Sequence, residues 1–179
     1  MVRLIRISPE SPLFPAAFAL YKRTFPPEER RDQKEQLRVM REEDYHYCVL
    51  EENGAFLGIM LYWELGTLCY LEHFAIREDL RGEGIGTKAL DLLKGQKKQI
   101  VLEIEKPQTE QQKKRRSFYL RNGFTENPHD HIQVKFHPND PDLPLLLLSQ
   151  GRALTAREYN DFRQLLEIQL KAPTVSKRP

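Results

Sequence analysis

The residues best spaced for chemistry are Arg81-Gly82-Glu83-Gly84-Ile85-Gly86. They stand between an apolar run ending at Ile76 and a segment that puts Ile85, Leu90 and Leu93 on one helical face. Glycine allows positive φ and close approach of the backbone to a ligand. Amides at a helix start lack partners, and the helix dipole favours an anion there. The pattern predicts a main-chain cradle for a pyrophosphate. A glycine-rich turn with no ligand is the plainer alternative. The P-loop is excluded, because Gly86 is followed by Thr87-Lys88 and not by Lys-Ser/Thr. Gly84, Gly86 and Ala89 formally match the dinucleotide pattern, with Glu103 near the place of a ribose-binding acid. Against that rival, Arg77 to Glu83 separate strand from turn, and the turn follows an antiparallel meander where the dinucleotide fingerprint usually opens a βαβ repeat.

The elements that must position this loop follow from periodicity and punctuation. Val2 to Ile7 reads as a strand. Ser11-Pro12 reads as a helix start, with Phe14, Ala17, Phe18 and Tyr21 at helical spacing. Pro26-Pro27 divides it from a second, charged helix containing Glu28, Glu29, Leu37, Val39 and Met40. Asn53-Gly54 joins Tyr45–Glu51 to Ala55–Leu65 as a hairpin, and Gly66-Thr67 leads into a strand from Leu68 to Ile76. A helix over 84–94, a strand over 100–105 and a helix over 110–122, ended by Gly123, come next. Ile132–Phe136 and Leu145–Leu148 read as closing strands, and Thr155–Lys171 as an amphipathic helix. An antiparallel meander followed by crossovers predicts an α/β fold with a mixed sheet. Residues 1–172 form one domain on this reading, with a frayed tail over 173–179.

Composition narrows the function classes. The chain has 179 residues, 40% hydrophobic and 30% charged, with net charge +2. No strong nucleic-acid or acidic-membrane partner is expected. Cys48 and Cys69 lie in apolar strand-like runs and read as free thiols of a reducing compartment. There is no CxxC, HExxH, secretory leader or membrane-length apolar run, so neither a metal site nor a membrane is expected, and the setting is cytoplasmic.

Arg81 to Gly86 resembles the pyrophosphate loop of the Gcn5-related N-acetyltransferase (GNAT) family, Arg/Gln-x-x-Gly-x-Gly/Ala. Phe118-Tyr119-Leu120-Arg121-Asn122-Gly123-Phe124 resembles its second signature, a helix ending in Tyr-x-x-x-Gly-Phe. The two lie at the family's usual separation, and the element order over residues 2–148 fits as well. Gln112 and Arg115 depart from the Asn and Ala that many members carry in the second signature's helix.

The resemblance implies a GNAT-like acyl-CoA N-acyltransferase fold, with a mostly antiparallel central sheet, flanking helices and an extra C-terminal helix. It implies acetyl-CoA as the donor and an amine, on a small molecule or peptide, as the acceptor. A non-catalytic CoA-binding or sensor domain and a small oxidoreductase are the alternatives. The loop residues Arg81, Gly82, Glu83, Gly84, Ile85, Gly86 and Thr87 would hold the pyrophosphate, and the backbone of Phe74, Ala75 and Ile76 the pantetheine arm. Direct attack needs a base for the ammonium and an acid for the leaving thiolate. Glu72 is the expected base, facing away from Leu71 and His73, with burial raising its affinity for a proton. Glu103 is the alternative base, and Tyr119 the expected acid, placed along the cofactor arm. Glu28 and Glu29 fall on the family's acceptor wall. The run Lys113 to Arg116 reads as a solvated helix face, or else as a contact for the cofactor's 3′-phosphate or for nucleic acid. The apolar face of the last helix could cover a homodimer interface.

Overall fold

A computed structural model of the protein describes residues 1–96 and 98–171. The expected tail over 173–179 lies outside them. Chain order is β1 (Arg3–Arg6), α1 (Phe14–Thr24), α2 (Gln33–Val39), β2 (Tyr45–Glu52), β3 (Ala55–Leu65), β4 (Leu68–Ile76), α3 (Ile85–Lys94), β5 (Gln99–Glu105), α4 (Glu110–Arg121), β6 (Phe124–Glu126), β7 (His131–Ile132), β8 (Pro144–Gln150) and α5 (Ala156–Lys171). The strands form one sheet in the order β1-β2-β3-β4-β5-β8-β6, with β7 also on β8. Among the described residues only β4 and β5 pair in parallel. This is the mixed α/β fold with a mostly antiparallel sheet that the sequence leads one to expect.

Strand alternation sends side chains to two cores. Tyr47, Val49, Ile59, Leu61 and Trp63 face α1, α2 and α5, meeting Phe14, Phe18, Tyr21 and Phe162. Cys48, Leu50, Met60 and Tyr62 face the other way, with Ile85, Leu90 and Leu93 of α3 and Tyr119 of α4. Both cysteines are free and buried. Asn53 and Gly54 have φ of 52° and 82°, the left-handed pair that a tight hairpin requires.

Four boundaries differ from the sequence reading. α1 starts at Phe14 with Leu13 at its N-cap, because the Ser11 hydroxyl accepts from the Leu13 N–H in a turn before the helix. Glu28 and Glu29 belong to a separate 3-10 turn, Pro27–Glu29, while α2 begins after Asp32, whose side chain caps the Glu35 N–H at 2.8 Å. Residues 133–136 are not strand; only His131–Ile132 pairs with β8. Phe124–Glu126 forms a short strand beside β8 that periodicity alone does not reveal.

β4 carries the irregularity that shapes the site. Leu61 pairs with His73 and Tyr62 with Leu71, so Glu72 is an extra residue in a β-bulge. Tyr70 belongs to one core and Leu71 to the other, yet after the bulge Ala75 rejoins the first. β4 also leaves β5 here: their pairing covers Leu68–Leu71 against Gln99–Leu102 and stops. Gly58 lets β3 stay close beside the end of β4, since a Cβ there would lie 2.3 Å from the Ala75 carbonyl oxygen.

Candidate active site

Where β4 and β5 part, a cleft of about 430 Å³, counting its open mouth, is lined by Phe25, Glu29, Tyr70, Glu72, His73, Glu103, Ile104, Glu105, Arg115, Gln133, Phe136 and Leu145. The bulge turns both Glu72 and His73 toward it. The expectation that they face opposite ways is therefore corrected. The ring of His73 packs edge-on against Tyr21 and Phe25.

Glu72 is not poised to take a proton. Its carboxylate receives Arg31 Nη2 at 2.7 Å and Nη1 at 2.5 Å, and Trp63 Nε1 at 3.2 Å. Both side chains of the pair are nearly inaccessible, at 3% for Arg31 and 1% for Glu72. The guanidinium is further surrounded by the rings of Tyr45, Trp63 and Phe136, at 5.0–5.8 Å. Burial pushes the Glu72 carboxyl up, but the Arg31 charge and the hydrogen bonds outweigh it and hold the group at about 2. The expected upward shift is thus reversed, and with it goes the physical ground for Glu72 as the base. Arg31, which sequence reasoning missed, sits 41 positions away in what reads as a surface charge run.

The segment around Arg31 is fixed at several points. Arg31 N–H donates to the Tyr21 hydroxyl at 2.8 Å. The carbonyls of Glu28, Glu29 and Arg30 accept from Gln133 Nε2, His73 Nε2 and His137 Nε2, at 3.0, 2.6 and 3.2 Å. Glu29 points into the cleft, whereas Glu28 meets Gln133 through its backbone and does not line it. The Glu29 carboxylate makes no ion pair among the described residues; burial, then the Glu105 charge, raises its affinity for a proton.

Glu103 lies on the cleft floor at the end of β5. Tyr70 Oη donates to its Oε2 at 2.8 Å, and His131 Nε2 meets its Oε1. His131 Nδ1 in turn lies 3.1 Å from the Tyr159 hydroxyl of α5. Glu105 pairs with Arg115, so part of the basic run reaches the cleft rim. Lys113 and Arg116 pair with Glu110 and Glu126.

The glycine loop fits an anion held by main chain. Gly82 and Gly84 have φ of 91° and 78°, and a Cβ on either would meet nothing within 4 Å, so the space beside both is open. Gly84 is the left-handed N-cap of α3, and no side chain caps that helix. Gly86 serves packing instead, since a Cβ there would lie 3.1 Å from the Phe118 ring. Gln112 is held in a capping box with Thr109, which accounts for its departure from the usual pattern. Tyr119 is buried between Phe118 and Phe124 in the α3 core, on the far side of the sheet from Glu72, and burial pushes its phenol up to about 12. Its electrostatic neighbours Arg115 and Glu105 border the cleft. Beyond Leu71 the β5-facing edge of β4, from Glu72 to Ile76, has no partner strand among the described residues, which suits a ligand arm laid along it.

Comparison with known proteins agrees with this geometry. The family model of the acetyltransferase (GNAT) domain matches residues 43–126. A solved structure assigned to the GNAT family of acetyltransferases, from Bacteroides thetaiotaomicron, is 31% identical, covers 93% of this chain and 96% of its own, and superposes with a TM-score of 0.85. The ribosomal-protein-S18-alanine N-acetyltransferase of Escherichia coli shares the fold at 18% identity, with a TM-score of 0.60 over 87% of this chain and 97% of its own. An aminoglycoside 6'-N-acetyltransferase solved with coenzyme A does so at 16% identity and 0.60, over 83% and 96%. No curated protein matches the sequence. No helix among the described residues is long and apolar enough to cross a membrane. With near-complete mutual coverage at 31% identity, the chain belongs to the GNAT acetyltransferase family and transfers an acetyl group from acetyl-CoA to an amine.

Proposed function

We propose that this acetyltransferase acts on a cationic amine, and that Glu103 takes the proton the amine must lose. The observation that carries the reading is the division of labour among the cleft carboxylates. Glu72 is committed to Arg31, whereas Glu29 and Glu103 face the cleft without a Lys or Arg partner. An ammonium group entering beside Glu29 and Glu103 would supply the missing charge. Only its free base has a lone pair for attack, so a positioned proton acceptor is needed.

Acetyl-CoA supplies the activated acetyl group. The open amides at Gly82, Gly84 and the start of α3, with Arg81, Glu83, Ile85, Gly86 and Thr87 around them, support a pyrophosphate seat. The free edge of Phe74, Ala75 and Ile76 supports a place for the pantetheine arm. Tyr119, whose phenol keeps its proton well above neutrality, is proposed to protonate the departing thiolate.

One continuous sheet with helices on both faces supports a single catalytic unit over residues 1–172. Two free, buried cysteines support a reducing, cytoplasmic setting. Net charge +2 is consistent with the absence of a nucleic-acid partner. Leu165 and Ile168, exposed on α5, support a second copy of the chain as a partner there.

The test is acetyl transfer from acetyl-CoA, followed by mass spectrometry, to a panel spanning diamines, polyamines, aminoglycosides, neutral monoamines, amino acids and peptides. Selection of acceptors with a second positive charge, with KM rising on Glu29→Gln, supports the reading. A preference for acceptors carrying a carboxylate near the amine overturns it.

A further inference from the structure

We infer that Glu103, His131 and Tyr159 work as one hydrogen-bonded chain, in which His131 and the appended helix α5 position the carboxylate that accepts the substrate proton. This rests on the reading of Glu103 as the proton acceptor. Neither partner belongs to the stretch matched by the family model, which ends at residue 126.

The chain runs inward from the cleft. His131 is buried, its side chain 0% exposed and that of Glu103 8%. The ring's Nε2 meets Glu103 Oε1, and its Nδ1 lies 3.1 Å from Tyr159 Oη. Tyr159 Oη also lies 3.1 Å from the Asp130 carbonyl, which can only accept. The Tyr159 proton thus has two possible acceptors, Nδ1 or that carbonyl. In both cases, while Glu103 is ionised, the Nε2 proton is donated to Oε1. The carboxylate therefore keeps a fixed orientation, with Tyr70 holding Oε2 at 2.8 Å. Stacking of His129 on Tyr159 at 4.3 Å and the edge contact of His131 with the same ring keep the members aligned. A buried imidazole satisfied at both nitrogens and ending on a cleft carboxylate is more than core packing needs.

The step balances simply. An N–H bond of the substrate ammonium breaks, and its proton forms an O–H bond on Glu103. The nitrogen keeps the electron pair and bonds the acetyl carbon as the carbon–sulfur bond breaks; the sulfur leaves as the thiolate and takes the Tyr119 proton, and the second proton lost by the acylated nitrogen restores that phenol. The proton on Glu103 later leaves to water through the cleft mouth.

The test is a double-mutant cycle on the full chain, using acetyl-CoA and the best acceptor found in the panel above. His131→Gln keeps a neutral donor near Nε2, and Tyr159→Phe keeps the ring while removing the outer partner. The expected result is a kcat loss of roughly 10-fold or more for the first and a smaller loss for the second. KM for acetyl-CoA and the melting shift it causes should be unchanged. Neither substitution should slow a Glu103→Gln background further, because residues acting as one unit are not additive. Glu103→Gln with full turnover would remove the proton-acceptor reading itself. An impaired Glu103→Gln, with Tyr159→Phe and His131→Gln either fully active or multiplying its loss, would overturn only the chain proposed here. If His131→Gln does not fold, Tyr159→Phe decides alone.

Discussion

Arg31 and Glu72 form a two-pronged ion pair across the sheet face, with Nη2 2.7 Å from Oε1 and both side chains almost fully buried. The pair joins the segment after α1 to the bulge of β4, so two sides of the cleft are fixed to each other. A carboxylate in the position expected of the base is a strut in this chain.

Removing one partner leaves a buried charge uncompensated. Arg31→Met is expected to destabilise the fold by roughly 3–5 kcal/mol in urea unfolding, and Arg31→Met with Glu72→Leu to recover much of it. The pH dependence has a definite sign. The folded Glu72 carboxyl lies at about 2, against an ordinary 4.5. Its contribution to stability is therefore complete above about 4.5 and is lost as pH falls toward 2. The wild type should lose stability across that window, and Arg31→Met should lose less there. Equal slopes in the two proteins would show that the pair does not set Glu72's acidity.

Gly84 stands at φ 78° with open space where a Cβ would go. Acetyl-CoA should raise the melting temperature of the wild type by mass action. Gly84→Val strains the left-handed N-cap and fills the space proposed for phosphate, so the shift should vanish. A variant that keeps the full shift would place the cofactor elsewhere.

Tyr119→Phe preserves the packing against Phe118 and Phe124 and deletes one oxygen. Turnover should fall by roughly 10- to 10³-fold, with acetyl-CoA affinity within a few-fold. An acetyl donor with a more acidic leaving thiol should restore part of the variant's rate. If that donor speeds wild type and variant equally, the ring is packing alone.

What the sequence made legible was local. Asn53-Gly54 named its hairpin, Gly82 and Gly84 their positive φ, and alternation along β2 and β3 the two faces of the sheet. The bulge at Glu72 was not legible, because nothing in Leu71-Glu72-His73 distinguishes regular alternation from an extra residue. One slipped position moved His73 into the cleft beside Glu72, and the pairing with Arg31 reversed the shift expected for the Glu72 carboxyl. Arg31 and His131 were missed for another reason: each gains its meaning from a partner far away in sequence, 41 positions for Arg31 to Glu72 and 28 for His131 to Glu103. Contacts between remote residues leave no period or spacing to read.

The most direct measurement compares kcat and melting temperature for Glu103→Gln and Glu72→Gln, with acetyl-CoA and one accepted amine. The account predicts that Glu103→Gln loses roughly 10²-fold or more in kcat, with the acetyl-CoA melting shift intact and less of the loss remaining at high pH, where the amine arrives as free base. It predicts that Glu72→Gln lowers the melting temperature while its folded fraction turns over within a few-fold of wild type. Full turnover in Glu103→Gln, together with an inactive Glu72→Gln of normal stability, would contradict it.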